Sequence, residues 1–362
     1  MKTRAEIEAD YDKSAHLLDP HHTQKVNGHK VPADLSDFFC VTVVSNPKRY
    51  KRRYELYWKF IEQCQAAGVQ VITVEQAFGE RPFMVTSKDN PYHVQVKSFE
   101  ELWLKENMMN IGIQHGMRLF SNKATKVAWI DADCRPSMPM REWFQETWHA
   151  LQHYEFVQMW SSMIDLDVNN EPIGVPQTSF MYNYIKHGSP HPVTFHELND
   201  AHSYMNPSST KLFGRPGLAW AANISALNHV GGLIEHAVLG SGDWFQAHAL
   251  LGTLKEAQGE YSYGPYMAKM MDWQDRATHF IKRDVGYVPA MMLHDFHGRK
   301  SLRQYGTRGS ILNEAKFNPD IDLKKDSSGL YQLNTISDRQ IKLRDDIRMY
   351  FTKRNEDSID LE

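Results

Sequence analysis

Two short apolar runs near the start of the chain, separated by an amphipathic segment, constrain the fold more than any other feature of the sequence. Residues 38–44 are rich in β-branched and aromatic side chains, which is typical of a buried strand in a parallel sheet. Residues 49–67 place apolar side chains at helical spacing, and Gly68 follows as a helix stop. Residues 69–74 form a second strand-like run. A strand, a helix and a strand in this order predict a right-handed crossover into a parallel sheet.

Helix-like and strand-like segments continue along the rest of the chain. Further helices are predicted at about residues 100–118, 140–152 and 262–282, and further strands at 126–130, 156–160 and 285–293. Residues 168–214 are predicted to form a long polar loop, which is typical of a lid or a binding loop. Turns at Pro216 and Gly240 are each expected to lead into a helix. Ser337 and Gln340 have the spacing of a capping box at the start of a C-terminal helix.

These segments predict an α/β fold with a Rossmann-like, mostly parallel twisted sheet flanked by helices and a C-terminal helical extension. We expect an N-terminal extension over residues 1–36, a main domain over residues 37–310 and a C-terminal extension over residues 311–362.

Composition and charge limit the classes of function. The formal net charge of −3 provides no overall field that would attract nucleic acid or anionic lipid, so such binding would need a local basic patch. The three cysteines lack the spacing of a zinc knuckle or a disulfide framework. The start of the chain lacks the apolar core of a signal peptide, and no run reaches the roughly 18 to 20 apolar residues that cross a bilayer. We therefore expect a cytoplasmic protein without a membrane anchor.

Asp131 and Asp133 follow directly after the apolar run at residues 126–130. Two aspartates one residue apart are more often a solvated turn than a site. The buried strand before them favours a site, because ligands of open α/β sheets bind outside the carboxyl ends of the strands. Two carboxylates there can hold one hard cation, Mn²⁺ or Mg²⁺.

A second group, near residue 300, combines histidines with arginines. His294 or His297 could complete the coordination of a cation, and Arg303 and Arg308 could neutralise a diphosphate. The alternative is a basic surface turn with two structural histidines, and the sequence does not decide between the histidines.

Asp243 lies in a glycine-rich turn at the predicted start of a helix. This position suits a general base that deprotonates an acceptor hydroxyl, or a carboxylate that binds sugar hydroxyls. It equally suits a helix N-cap, for which Asp is a preferred residue.

Two further groups have a binding and a structural interpretation. The basic segment at residues 48–53 could contact a nucleotide or a polynucleotide, or could be a solvated helix face. Trp103, Asn107 and Asn110 share one helix face near Lys105, and the two amides could contact a ligand or form buried hydrogen bonds with the backbone.

Six stretches in this order resemble GT-A-fold glycosyltransferases of bacteria and bacteriophages, over about residues 38–310. They are Asn46-Pro47-x-Arg49-Tyr50, Trp103-x-Lys105-Glu106-Asn107, Trp129-Ile130-Asp131-Ala132-Asp133, Pro216-Gly217-x-Ala219-Trp220-Ala221, Gly240-Ser241-Gly242-Asp243 and His297-Gly298-x4-Arg303-x-Tyr305-x-x-Arg308.

The resemblance implies a nucleotide-sugar donor, with Asp131 and Asp133 as metal ligands and His297 as the histidine that completes the metal shell. It also implies that Asp243 is the acceptor-side carboxylate, which is the catalytic base in inverting members. Trp244 follows Asp243 where this family has a polar residue or a histidine. We assign binding of the donor to Asn46, Arg49, Lys105, Asn107, Asp131, Arg303 and Arg308.

The predicted function is a metal-dependent glycosyltransferase that moves a sugar from a UDP-sugar to an acceptor hydroxyl with inversion. The acceptor would be a 5-hydroxymethylated pyrimidine in phage DNA, which must leave the base stack, or a surface polysaccharide. A nucleotide-sugar pyrophosphorylase is an alternative, although the loop at residues 45–47 lacks the glycines of such enzymes. A sugar-binding module would explain the aromatic residues but not the paired aspartates.

Overall fold

The computed structural model describes residues 33–121, 123–190, 214–257, 263–305 and 307–360, and the backbone of a short hairpin at Lys25–Val26 and His29–Lys30. Most of the predicted N-terminal extension, and residues 191–213 of the predicted long loop, lie outside the described residues.

The described strands from residue 38 onward are numbered in chain order. They are β1 (Phe38–Ser45), β2 (Gln70–Phe78), β3 (His93–Ser98), β4 (Lys126–Ile130), β5 (Cys134–Pro136), β6 (Phe156–Gln158), β7 (Ser162–Leu166), β8 (Pro172–Thr178), β9 (Ala219–Asn223), β10 (Val285–Tyr287), β11 (Met291–His294), β12 (Leu323–Lys325) and β13 (Tyr331–Leu333).

The α-helices are numbered in the same way. They are α1 (Lys51–Ala66), α2 (Lys105–Leu119), α3 (Met140–Ala150), α4 (Phe180–His187), α5 (Ile224–Val230), α6 (Gly242–Leu251), α7 (Gly264–Phe280), α8 (Gly309–Glu314), α9 (Pro319–Asp322) and α10 (Asp338–Lys353). None of the helices in the described residues is long and apolar enough to cross a membrane.

The central sheet has seven strands in the order β10-β6-β9-β4-β1-β2-β3. All neighbours are parallel except β9, which is antiparallel to both β4 and β6. The predicted mostly parallel sheet flanked by helices is therefore confirmed.

Alternate side chains of β1 point into two hydrophobic cores, one on each face of the sheet. Phe39 and Val41 belong to the core beneath α2, whereas Phe38 and Cys40 belong to the core that includes side chains of α1 and α3. Because side chains of a strand alternate between faces, a sheet buried on both faces requires an almost continuous apolar run. The buried polar side chain in this run, Thr42, donates to the Ile130 carbonyl at 3.0 Å.

Helix α2 lies close to the sheet because it carries two glycines on the facing side. A Cβ atom on Gly112 would lie 2.6 Å from Val41 Cγ1, and one on Gly116 would lie 2.3 Å from the ring of Phe39. This close packing determines where the first turn of α2, with Lys105, meets the edge of the sheet.

A second sheet of four strands, β8-β7-β11-β5, adjoins the carboxyl end of β4. Strand β11 is parallel to β7 and antiparallel to β5, and its last residue, His294, pairs with Asp165 on one side and Cys134 on the other. The small sheet thus brings the end of β11 beside the residues that follow β4.

Helix α8, the β12–β13 hairpin and α10 contribute buried side chains to the hydrophobic core beneath α2. The predicted capping box is confirmed, since Ser337 accepts the Gln340 N–H and the Gln340 side chain accepts the Ser337 N–H.

The prediction of a loop over the whole of residues 168–214 is wrong for the part that the structure describes. Residues Pro172–Thr178 form β8, which pairs with β7, and Ser179 caps the helix Phe180–His187. Pairing with β7, which lies outside the segment, decides this conformation, and the segment also pairs with Arg215, whose N–H donates to the Thr178 carbonyl at 2.9 Å.

Two other boundaries also differ from the sequence prediction. Residues Ala219–Asn223 form a central strand rather than a helix, because they pair with β4 on one side and β6 on the other. The run at residues 285–293 forms two strands in different sheets, since Pro289 interrupts it and has no N–H for a ladder.

Candidate active site

Side chains from four separate segments meet at the carboxyl end of β4. Asp131 and Asp133 follow β4, and the β5–β11 pairing brings His297 to Asp133, with His297 Nε2 at 2.9 Å from Asp133 Oδ2. Lys105 begins α2 and places its ammonium group 2.7 Å from both carboxylate oxygens of Asp131. Asp243 lies in the first turn of α6 and lines a small cavity together with Lys105.

The segments before α2 and α6 are held together by backbone contacts. Trp103 forms a parallel bridge with Leu239, and its N–H donates to the Val238 carbonyl at 2.9 Å. Because both helices begin a few residues later, their first turns lie side by side. The pairing of β9 with β4 adds Leu218, whose carbonyl accepts the Asp131 N–H at 2.8 Å.

Asp133, His294 and His297 form a group that could hold a metal ion. One potential ligand atom from each lies within 4.8 Å of the others. Asp133 Oδ1 is buried and has no hydrogen-bond partner among the residues that the structure describes. A buried carboxylate oxygen that accepts no hydrogen bond is suited to bind a cation. The three side chains therefore fit a divalent metal ion.

Asp165 orients His294 within this group. Its Oδ1 lies 2.7 Å from His294 Nδ1, and Lys300 pairs with its other oxygen. A proton on Nδ1 leaves the Nε2 lone pair of His294 for a cation, as in carboxylate–histidine–metal arrangements. Burial lowers the pKa of His294, which favours the neutral imidazole that a metal requires.

The two aspartates of the pair have different electrostatic surroundings. Burial by itself would raise the pKa of Asp133, but His297, His294 and Arg303 hold it well below its usual range. Burial raises the pKa of Asp131 to about 6, although the ammonium group of Lys105 acts in the opposite direction. Asp133 is therefore the ionised carboxylate of the histidine cluster, whereas Asp131 is engaged by Lys105, and the metal-ligand role of Asp131 stays a prediction.

Asp243 is not the N-cap of α6, since Ser241 occupies that position. The Asp243 Oδ1 atom accepts the Trp244 N–H at 2.8 Å. Its Oδ2 atom would lie 2.6 Å from a Cβ on Gly217, so this glycine leaves space for the carboxylate. The carboxylate thus faces the cavity from the start of the helix.

The cavity beside Asp243 also contains a carboxyl group that our sequence analysis did not assign to the site. Glu106 lines the cavity, and Trp129, Trp220 and Gln246 complete much of its wall. Burial, together with the charge of Asp243, raises the pKa of Glu106 to about 8, against the opposing effect of Lys105. Glu106 belongs to the Trp103-x-Lys105-Glu106-Asn107 stretch, but this stretch does not indicate its burial, which depends on the packing of α2 against α6 and the sheet.

Three carboxyl groups surround Lys105. Burial by itself would lower the pKa of this ammonium group, but the charges of Asp131 and Asp243 raise it above the usual value, and Glu106 adds to them when it is ionised. Lys105 therefore stays charged. It contacts Asp131 of the aspartate pair and also lines the cavity beside Asp243.

Arg303 and Arg308 approach the site from the segment after β11. The Arg303 Nη2 atom lies 3.0 Å from His297 Nε2, which places a buried guanidinium beside the cation cluster. Arg308 donates from Nη2 to the Ser241 hydroxyl at 2.8 Å, next to the turn that precedes Asp243. Both arginines therefore lie at the predicted site, and their contact with a donor stays a prediction.

Asn46 and Arg49 lie in the loop between β1 and α1. The Asn46 amide closes this loop through two hydrogen bonds with the Tyr50 backbone, at 2.8 and 2.9 Å. Arg49 is exposed, and its Nη2 atom lies 3.7 Å from Met84 Sδ. Binding of the nucleotide-sugar donor by Asn46 and Arg49 stays a prediction.

The basic segment at residues 48–53 is largely paired with carboxylates. Lys48 contacts Glu101 at 2.7 Å, Lys51 and Arg52 contact Glu55, and Arg53 pairs with Glu356. Four of its five cations thus contact carboxylates of the chain, although Lys51 and Arg52 share one, and this pairing weakens the interpretation as a polynucleotide patch.

The amide of Asn107 is occupied by protein partners. Its Nδ2 atom donates to Glu235 and to the Gly329 carbonyl, both at 3.1 Å, and its Oδ1 atom accepts the Tyr331 N–H at 3.0 Å. Asn110 likewise bonds to the Leu233 backbone through both side-chain atoms. These bonds support the structural interpretation of the two amides, because they leave little capacity for a ligand.

Glu356, in the C-terminal extension, is a second buried carboxylate that our sequence analysis did not assign. It pairs with Arg53 and with Arg354, and its Oε2 atom lies 3.7 Å from His297 Nδ1. Burial by itself would raise the pKa of Glu356, but the two arginines hold it well below its usual range. The C-terminal segment therefore contributes negative charge behind a predicted metal ligand.

Comparison with known proteins found no matching family model and no matching curated protein. One similar solved structure is the catalytic domain of Drosophila β1,4-galactosyltransferase 7 in complex with xylobiose, at 10% identity, 61% coverage of each chain and a TM-score of 0.28. Another is described as a nucleotide-diphospho-sugar transferase from Desulfovibrio desulfuricans, at 12% identity, with 87% of this chain and 98% of that chain covered and a TM-score of 0.27. Likenesses at this level carry no argument about function, which depends on the geometry of the site.

Proposed function

We propose that this chain is a glycosyltransferase that moves a sugar from a nucleotide-sugar donor, a UDP-sugar, to an acceptor hydroxyl. The observation that carries the proposal is the convergence of the Asp133–His294–His297 cluster and the Asp243 carboxylate at one edge of the sheet, joined by Lys105 and Asp131. The GT-A resemblance of the sequence motifs agrees with it, and residues 37–310 carry the proposed activity.

The cluster would hold a divalent cation through Asp133, His294 and His297, with Asp131 as the predicted further ligand. Two imidazole ligands favour a transition-metal ion such as Mn²⁺ over Mg²⁺, which prefers oxygen ligands. When bound, the cation would supply Lewis-acid neutralisation of the diphosphate leaving group.

Side chains of this chain would assist departure of the diphosphate and deprotonate the acceptor hydroxyl. Arg303, beside His297, provides a fixed positive charge for the leaving diphosphate, and Arg308 adds a second guanidinium near the turn before Asp243. Asp243 would accept the proton of the acceptor hydroxyl as this oxygen attacks the anomeric carbon from the face opposite the diphosphate. This arrangement inverts the anomeric configuration.

The nature of the acceptor requires a separate assay. A 5-hydroxymethylated pyrimidine in DNA remains our first candidate from the sequence, although the pairing of the basic segment with carboxylates favours a neutral glycan. Activity on hydroxymethylated duplex that decreases steeply with salt would support DNA, and activity on an oligosaccharide without such dependence would support a glycan.

The metal site is tested by replacing Asp133 with Ala. The wild type should be stabilised in thermal shift by a UDP-sugar with Mn²⁺, and the variant should lose both this Mn²⁺-dependent shift and sugar transfer. Asp89→Ala, at an exposed position, is the matched control. Full activity of Asp133→Ala would refute the metal assignment.

The role of Asp243 is tested by the Asn variant. Asp243→Asn should keep the affinity for the UDP-sugar and reduce transfer by at least about 10²-fold, because general-base catalysis contributes that much. Transfer at the wild-type rate would show that Asp243 is not the base.

A further inference from the structure

We propose that Glu356, in the C-terminal extension, is a positioning residue for the predicted metal ligand His297. Its carboxylate faces one ring nitrogen of the histidine and so directs the other ring nitrogen toward the cation cluster at Asp133. The inference rests on the proposed function, and it makes a segment outside residues 37–310 part of the metal centre.

The two ring nitrogens of His297 face two different carboxylates. Nε2 lies 2.9 Å from Asp133 Oδ2, and Nδ1 lies 3.7 Å from Glu356 Oε2. The second distance is too long for a hydrogen bond, so this contact acts through charge. The side chain of His297 is 5% exposed and that of Glu356 is 2% exposed, so water and salt screen the contact little.

A contact with Arg303 indicates which nitrogen of His297 carries the proton. Arg303 Nη2 lies 3.0 Å from His297 Nε2. A guanidinium group can only donate, so this contact requires a lone pair on Nε2, and the neutral ring then carries its proton on Nδ1, beside Glu356. The 2.9 Å between Nε2 and Asp133 Oδ2 fits two ligands of one cation, which lie about 3 Å apart at bond lengths of roughly 2.1 Å and a right angle.

The other histidine of the cluster has a similar arrangement. Asp165 Oδ1 lies 2.7 Å from His294 Nδ1. Both histidines therefore have a carboxylate beside Nδ1, one from the small sheet and one from the C-terminal extension. A carboxylate in this position fixes the ring of a metal-binding histidine and makes the other nitrogen a stronger ligand.

Two arginines hold the Glu356 carboxylate in place. Arg53 forms a bidentate pair with it, from Nη2 to Oε1 at 2.8 Å and from Nε to Oε2. Arg354 Nε lies 2.6 Å from Oε1. The guanidinium carbons of Arg53 and Arg354 lie 5.3 and 4.7 Å from the centroid of the Trp103 ring. Because both guanidinium groups are paired and also lie over one ring, they give the carboxylate a defined position beside His297.

The backbone after His297 leaves room for the C-terminal segment. A Cβ on Gly298 would lie 2.8 Å from Glu356 Cα and 2.9 Å from the Asn355 carbonyl oxygen. The φ angle of Gly298 is +82°, which also favours glycine at this position. Asp357 then accepts two N–H groups at the start of α1, each at 2.9 Å, and these bonds hold the segment against the main domain.

The experiment measures the affinity of the full chain for Mn²⁺, with and without UDP, from the electron paramagnetic resonance signal of the free ion. Glu356→Gln should raise the Kd of Mn²⁺ by about ten-fold, the lower end of what the loss of such a partner causes. Arg354→Gln removes one partner of Glu356 but keeps the carboxylate at His297. This matched control should leave the Kd within about two-fold, because Arg53 still holds the carboxylate.

A cycle with His297→Ala distinguishes positioning from a general effect on the fold. If Glu356 acts through His297, replacing Glu356 in the His297→Ala background should change the Kd of Mn²⁺ by less than about two-fold. A general loosening of the site would weaken Mn²⁺ binding equally in both backgrounds. Melting temperatures show which variants are folded. The double variant Arg354→Gln/Glu356→Gln keeps the net charge of the wild type, and it takes the place of Glu356→Gln if the single variant does not fold.

The remaining outcomes separate the two proposals. If the wild type binds no Mn²⁺ with or without UDP, the metal assignment of the proposed function is overturned, and the role of Glu356 with it. Three results would overturn the role of Glu356 while the proposed function stands. Glu356→Gln binds Mn²⁺ as the wild type does, it loses the same factor in the His297→Ala background, or Arg354→Gln loses as much affinity.

Discussion

Replacing Glu106 with Gln should reduce the pH dependence of the protein's stability. Burial, with the nearby charge of Asp243, raises the pKa of this carboxyl from 4.5 to about 8, and Lys105 compensates only in part. In the unfolded chain the same group ionises near its ordinary value. Folding therefore keeps a proton on Glu106 over a pH range in which the unfolded chain has released it.

The sign of the effect follows from this difference in bound protons. The contribution of Glu106 to the free energy of unfolding is complete below pH 4.5, decreases as the pH rises, and is lost once the pH passes about 8. The steepest slope for one group is about 1.4 kcal/mol per pH unit. Between pH 6 and pH 8 the contribution of Glu106 to the free energy of unfolding should therefore decrease by about 2 kcal/mol.

Urea unfolding at pH 6 and pH 8 measures this contribution directly. The free energy of unfolding of the wild type should decrease by about 2 kcal/mol more than that of Glu106→Gln, whose amide does not titrate. Glu62→Gln, at an exposed position of α1, is the control and should follow the wild type. Equal decreases in the wild type and Glu106→Gln would refute the argument that the folded chain keeps Glu106 protonated.

Three other substitutions test the packing, capping and charge pairing on which the site depends. Gly116→Ala should lower the free energy of unfolding by about 1–2 kcal/mol, because its Cβ would meet the Phe39 ring at 2.3 Å, whereas Gly264→Ala, with nothing within 4 Å, should not. A Gly116→Ala variant as stable as the wild type in urea would contradict the close helix–sheet contact. Ser337→Ala should cost about 1 kcal/mol in the same assay by removing the capping box, and an unchanged transition midpoint would speak against it. Glu356→Gln should cost about 3 kcal/mol by leaving the buried Arg354 and the partly buried Arg53 without their carboxylate, and a thermal melt like that of the wild type would show that the pairing contributes little.

Local patterns in the sequence were sufficient for much of the fold. The apolar run that became β1, the helical periodicity of α1 and the capping box of α10 depend on neighbours within a few residues, so each can be predicted without knowledge of the tertiary structure. The position of Asp131 and Asp133 after β4 belongs to the same class, because a strand end places the next residues at the sheet edge.

The short central strand β9 shows where local patterns fail. Residues Ala219–Asn223 are mostly alanine, which has no strong preference for a strand, and the two neighbours that give them ladder hydrogen bonds are distant in sequence. Their conformation was therefore decided by tertiary pairing.

The sequence by itself determined a mostly parallel sheet with two carboxylates at the end of one strand. These carboxylates and the motifs around them led to the expectation that the chain binds a cation and a nucleotide sugar. Only the tertiary structure decided that His294 joins His297 at Asp133, that Lys105 engages Asp131, and that Glu106 becomes a buried acid beside Asp243. The physical reason is that burial and charge pairing depend on contacts between residues far apart in the chain, to which local periodicity and residue type are insensitive.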